Sequence, residues 1–262
     1  MHKIKTIILK EWAEVFRNQL VVFSVIFMPL LLTAIPLVMI YTMRDVATSS
    51  AGTPLPPQFV LSLPPGLSGG DYFLVYMVSQ FMLLFMLTPL MVPVNIAAYS
   101  IVGEKTTHSL EPLLATPITT AELLAGKNMA AAIPAVVATW GSFVLFAVGA
   151  KIMIPNPAVF AAILDPMWLL AVLVVGPLLA ILSVNFSLMV SSRVNDPRVA
   201  EQLSAVVMLP LLLIFFGQLA GVLFLNRKLV VLLALGLLAI DVLMVYLAVR
   251  LFQRETILTR WR

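Results

Sequence analysis

GEKTTHSLEPLLATPITTAELLAGK, residues 103–127, is a polar stretch between two runs apolar enough to cross a bilayer, so it faces water while its neighbours face lipid. Leu110, Leu113 and Leu114 recur at helical spacing, and Glu104, Lys105 and Glu111 keep the other side wet. Pro112 suits only a first turn or a kink, and Thr116-Pro117 ends the piece, so the helix is one or two turns long. Thr119 followed by Glu122 has the spacing of a reciprocal cap and predicts a second helix start. A leucine stripe on a short wet helix suits docking onto another protein; the same spacing also suits a cytoplasmic loop that touches nothing.

Outward from this stretch the chain is almost wholly apolar. Of 262 residues 61% are hydrophobic and 11% charged, with a mean hydropathy of +1.07, which excludes an ordinary globular protein and predicts an all-α integral membrane protein, one transmembrane domain over residues 1–262. Six apolar runs lie near residues 20–43, 72–100, 128–150, 167–190, 204–225 and 229–250, each reaching the ~20 residues that cross the hydrocarbon. The first five carry proline within their apolar bodies, at Pro29 and Pro36, Pro89 and Pro93, Pro134, Pro177 and Pro210. Kinked or interrupted helices follow, and the carbonyls that proline frees must find partners inside the bundle. Gly217 and Gly221 allow the end of the fifth run either a tight turn or a re-entrant bend.

The N-terminal residues 1–19 lack the small-residue cleavage site of a secretory signal and are expected to be retained. Ile4, Ile7, Ile8, Trp12, Val15 and Phe16 share a face, with Lys3, Lys5, Lys10, Glu11, Glu14 and Arg17 largely elsewhere, which predicts a helix lying in the membrane interface. With both termini on one side, that side holds 12 Lys and Arg against four (Arg44, Lys151, Arg227, Lys228) on the other, so both termini and the segment 101–127 are expected on the cytoplasmic side of the cell membrane. The first external connection, residues 44–71, is rich in Pro, Gly and Ser and too short for a folded domain. Asp196 before Pro197 reads as a cap and first position launching the fifth span. The net charge of +4 is scattered over the membrane flanks, favouring anionic headgroups over nucleic acid as the partner.

Residue chemistry narrows the function further. There is no cysteine and there are two histidines, which removes thiolate sites and leaves little for an imidazole metal cluster. Gly126-Lys127 superficially resembles the end of a phosphate-cradling loop, but such a loop needs Gly at Ala121 and Ser or Thr at Asn128. Neither a zinc-binding His-Glu-x-x-His helix nor a Gly-x-Ser-x-Gly elbow occurs. Asp241 lies near the middle of the last run, where a carboxylate is costly; it serves either an ion, proton or substrate path or a packing contact. Asn95, Asn185 and Gln218 are its candidate partners, and each is equally a candidate for interhelical hydrogen bonding. Met82, Met86 and Met91 with Phe81 and Phe85 could line an adaptable apolar pathway or simply face neighbours and lipid.

The chain resembles the integral membrane permease subunit of type-2 class ABC exporters over nearly its whole length. Residues 103–127 carry the most specific match: an acidic residue, Thr, then Leu-Glu-x-Leu-Leu, Pro, and Glu-Leu-Leu-x-Gly-Lys. LKEWAEVFRNQ near the start and SSRVNDPRVAEQLSAVVMLP before the fifth run support it. The resemblance implies a six-span half-transporter that pairs with a second or homologous permease and with two separate ATP-binding subunits, holding no cofactor of its own because ATP sits on the partner. It places a coupling helix at residues 104–115, with Glu104, Leu110, Glu111, Leu113 and Leu114 meeting the ATPase. His108 and Ser109 depart from the commoner pattern, which bears on which ATPase fits. Two other readings stand beside it: an ion-gradient-driven transporter or channel built on Asp241, and a structural subunit of a larger membrane assembly. The apolar walls favour a drug, lipid or lipopeptide as cargo, with inorganic cations also known in the family.

Overall fold

The computed structural model describes residues 2–43, 56–63, 66–106 and 118–251. Among them there is no strand, and six helices are long and apolar enough to span a membrane: Val21–Met43, Gly69–Glu104, Thr120–Met153, Pro157–Ser191, Pro197–Leu219 and Arg227–Leu251. An N-terminal helix, His2–Val15, precedes them. A helix rises 1.5 Å per residue, so the 36 residues of the second span and the 34 of the third reach about 50 Å, well beyond the ~30 Å hydrocarbon core. The excess forms stubs beyond the apolar slab, and the two that flank residues 107–117 carry Glu104 and Lys127.

Helix starts follow the side chains that satisfy orphan amides. The Thr119 hydroxyl accepts from the Glu122 N–H (3.2 Å) while the Glu122 carboxylate accepts from the Thr119 N–H (2.9 Å), the reciprocal cap expected from the sequence. Ser68 and Asp71 repeat it at the second span. Asp196 caps the fifth by accepting from the Arg198 and Val199 amides, which starts that span at Pro197 rather than near residue 204.

Three spans change winding immediately before a proline. Leu83–Leu87 is 3-10 ahead of Pro89, Ala171–Val175 is π ahead of Pro177, and Ala205–Met208 is 3-10 ahead of Pro210. In each case the carbonyl four residues back, against which the proline ring would clash, falls in the altered turn. Two tryptophans then serve carbonyls that lack a backbone donor. Pro134 cannot bond Ala130, and the Trp12 indole donates to the Ala130 carbonyl at 2.9 Å. In the π turn Gly176 N–H bonds Ala171, so Val172 would next be served by Pro177, which has no N–H; the Trp140 indole donates to Val172 at 3.2 Å.

The second span forms the centre, 72% buried over its most apolar window, against 11% for the fifth and 17% for the sixth. It packs on the fourth, where the Ser183 hydroxyl donates to the Leu90 carbonyl at 2.6 Å and small residues such as Ala97 and Ala180 let the backbones approach. One apolar core, around Phe85, Phe143 and Phe146, fills the half of the bundle away from the N-terminus. A second, around Val15, Ile96, Leu124 and Val184, fills the N-terminal half. The fifth span does not re-enter among the described residues. It ends in a Schellman turn: Gly221 at φ +71°, its N–H on Gln218 and the Val222 N–H on Gly217, after which Asn226 caps the sixth span.

Candidate functional site

The N-terminal helix buries Ile7, Glu11 and Val15, spaced by four, against the third span. Glu11, expected on the wet side, therefore points inward. The approach is close because residue 126 is glycine: a Cβ there would lie 2.7 Å from Ile7 Cγ2. Trp12 on its Ala130 carbonyl and an exposed Lys3–Glu122 pair at 3.6 Å extend the same contact. The helix thus packs on protein along the face that carries Ile7, Glu11 and Val15.

Where this helix meets the stubs of the second and third spans, four charges gather. Lys127 lies 2.7 Å from Glu11 Oε1 and 3.0 Å from Glu104 Oε2, and donates to the Ser100 hydroxyl at 2.7 Å. Ser100 donates in turn to Glu11 Oε2 at 2.6 Å. Lys10 reaches in from the rim, 2.9 Å from Glu104 Oε1 and 3.6 Å from Glu14. The side chains of Glu11 and Glu104 are 3% exposed and that of Lys127 is 1%, so the core of the cluster is dry; two ammoniums and two carboxylates make it neutral.

For Glu11 and Lys10 burial opposes ionisation, and their partners reverse it. For Glu11 the burial is outweighed by the Lys127 charge and hydrogen bond, the Ser100 hydrogen bond and the Lys10 charge, which hold its carboxyl below its ordinary 4.5. For Lys10 burial pulls downward, but the hydrogen bond and charge of Glu104, with Glu14 and Glu11, hold its ammonium above its ordinary 10.5.

The Ser100 hydroxyl beside Glu11 is taken up in the ion pairs of the cluster, and what the cluster does is fasten. Glu104 lies shortly before residues 107–117 and Lys127 in the first turns of the helix after them. Their ion pair ties the two ends of residues 107–117 to each other, and Glu11 and Lys10 tie both to the N-terminal helix. Of the residues expected to meet a partner, Glu104 was expected on the wet face and is instead buried in this cluster, its carboxylate paired with Lys127 and Lys10; Leu110, Glu111, Leu113 and Leu114 lie outside the described residues. Lys127, Glu11, Lys10 and Ser100 were not expected from the sequence to form a site. The one available signal was Glu11 between Ile7 and Val15 at helical spacing.

The intramembrane polar residues are dispersed. Asn185 is buried in the N-terminal half, where its carboxamide oxygen accepts from Asn128 at 3.1 Å and its amide donates to the Ile181 carbonyl. Asn95 is half-buried on the second span. Gln218 is buried at the opposite end of the bundle. Asp241 is 4% exposed, and neither of its oxygens has a hydrogen-bond partner among the described residues, so none of the three amides bonds it. Met82 and Met86 with Phe85 are fully buried in the upper core, packed on neighbours rather than lining an open path. Among the described residues no group of three or more acidic or histidine side chains could hold a metal.

No curated protein matches the sequence. A family model described as "ABC-2 family transporter protein" matches residues 5–256, nearly the whole chain and all six spans. With six apolar helices and a polar segment rooted in a buried charge cluster, the chain belongs to the ABC-2 transporter family and is a multi-pass membrane permease of an ABC transporter.

Proposed function

We propose that this permease is the membrane half of an ATP-driven exporter and that residues 107–117 dock on a separate ATP-binding subunit, two copies serving a pair of permeases. The observation that carries this reading is the Lys127–Glu104–Glu11–Lys10 cluster. A buried ion cluster is a poor way to gain stability, since an apolar replacement of the same volume is often as stable. It is a good way to fix register, because its members have one low-energy arrangement. Here it makes the N-terminal helix and both stubs a single body, so a push on the segment between the stubs reaches the second and third spans together. The composition, with no phosphate-cradling loop, agrees with work arriving by contact. Closure of the ATPase pair would then bias the bundle between inward-open and outward-open states. The positive-charge count supports a cytoplasmic side for this end and a cell-membrane location.

Replacing Leu113 and Leu114 together by Glu is expected to abolish co-purification of an ATP-binding subunit and ATP-dependent transport while membrane insertion stays normal. Undiminished coupling in that variant sinks the assignment. Asp241, buried with no hydrogen-bond partner among the described residues, supports a second reading in which an ion or proton gradient drives transport. Transport that survives ATP depletion but stops in Asp241→Asn would select it.

A further inference from the structure

At the end of the bundle opposite the charge cluster, a polar pocket of about 260 Å³ opens between the connections joining spans one to two, three to four and five to six. Its floor holds two carboxamides from different spans: Gln80, 2% exposed, and Gln218, 7% exposed. The Oε1 atom of each is buried with no hydrogen-bond partner among the described residues. A native interior rarely leaves one such acceptor bare, and two in one pocket mark a place where donors come from outside the chain. The rim carries Asp165 and Arg227, both exposed and not paired with each other. One Asp165 oxygen caps Met167; Arg227 opens the sixth span. The pocket is therefore lined by two carboxamides whose buried oxygens a donor reaches once the amide turns toward it, with one charge of each sign at its mouth and an apolar wall that includes Phe59 and Phe224.

We propose that this pocket binds a phosphoethanolamine group, its primary ammonium donating to Gln80 and Gln218 and its phosphate held by Arg227. A primary ammonium has three N–H donors, which two bare oxygens and a carboxylate can accept; a trimethylammonium has none. Arginine matches phosphate oxygens in a bidentate way. The volume is that of about nine waters, the scale of the eight heavy atoms of the group. The position at the ends of the spans is headgroup depth, so a lipid headgroup is one source and a free solute the other.

The full chain is reconstituted in bilayers of equal parts phosphatidylethanolamine and phosphatidylcholine with matched acyl chains, gently extracted, and its retained lipid quantified by mass spectrometry. The unmodified chain is expected to enrich the ethanolamine lipid about tenfold, the factor carried by one hydrogen bond to a charged group. Gln80→Leu with Gln218→Leu is expected to return the ratio to that of the bulk, and Arg227→Gln to lower it severalfold. Gln80→Glu, which keeps an acceptor, is expected to retain the preference and so separates lost recognition from lost folding. Displacement of the bound lipid by water-soluble glycerophosphoethanolamine shows that the free group is also taken; failure to displace assigns the lipid source. Equal retention of the two lipids by the unmodified chain, as a pocket filled only by water gives, overturns the proposal, as does an unchanged preference in the double variant.

Discussion

Replacing Lys127 by Met tests whether the charge cluster is a fixed joint or a surface ornament. The methionine matches the stem of the lysine and removes only the ammonium, leaving Glu11 and Glu104, each 3% exposed, without their shared counter-charge. Breaking a buried pair from one side costs about 3–5 kcal/mol. The lower end applies here, because Glu11 keeps the Ser100 hydroxyl at 2.6 Å and Glu104 keeps Lys10 at 2.9 Å. A loss of about 3 kcal/mol is roughly 150-fold in the folded-to-unfolded ratio. Lys10→Met removes a charge that is 38% exposed and should cost about 1 kcal/mol or less. Neutralising the whole core as Lys127→Met, Glu11→Gln and Glu104→Gln should recover stability to within about 1 kcal/mol of the parent, since the one charge left, Lys10, is 38% exposed and no buried charge then stays uncompensated. Equilibrium unfolding in mixed micelles, titrated with denaturing detergent, measures all three. If Lys127→Met costs no more than Lys10→Met, or the triple variant stays as unstable as the single one, the cluster is not the dry joint described here. A folded triple variant also isolates coupling: ATP hydrolysis by the partner should continue while transport per ATP falls.

Three further outcomes follow from the same geometry. Trp12→Phe should cost about 1–3 kcal/mol by leaving the Ala130 carbonyl bare, and Pro134→Ala, which restores the missing N–H, should recover most of it; additive costs in that cycle would falsify the carbonyl account. Gly126→Ala should push Ile7 and its helix off the third span at about 1–3 kcal/mol, seen as faster thiol labelling of a cysteine placed at Ile7's neighbour Ile4 in this cysteine-free chain; unchanged labelling counts against it. The pH dependence has a definite sign. The Glu11 contribution is complete above its ordinary 4.5 and is lost as pH falls through its depressed folded value, whereas the Lys10 contribution is complete below 10.5 and is lost as pH rises through its elevated one. These two contributions are therefore constant between those limits; unfolding midpoints should fall at acid pH, and Glu11→Gln should shrink that fall; an undiminished fall in that variant would remove Glu11 from the account.

The six spans were legible because length and apolarity are local properties, and so were the caps at Thr119 and Asp196, where donor and acceptor lie two or three residues apart. The joint was not. Lys127 is 116 residues from Glu11 and 23 from Glu104, and nothing in a linear pattern brings them together. Glu11 looked wet because a glutamate on an amphipathic helix usually is; the glycine opposite, which lets the helix close on it, becomes meaningful only once the two helices are packed. Prolines announced that carbonyls would be freed but not which side chains would serve them. Trp12 looked like a headgroup anchor and is also the donor that Pro134 leaves wanting. Asp241 was legible as costly, and that it has no hydrogen-bond partner among the described residues became visible only in three dimensions.

The changes of winding ahead of Pro89, Pro177 and Pro210 bear on how this bundle can move. A 3-10 turn rises about 2.0 Å per residue against 1.5 Å in an α-helix, so the five residues Leu83–Leu87 make the central rod about 2.5 Å longer than uniform α winding would. The π turn at Ala171–Val175 acts in the opposite sense on its neighbour. The two most closely packed rods of the bundle thus each contain a short telescoping section, one drawn out and one drawn in. Exchange of winding between them would slide their far halves past each other with the near halves still clamped.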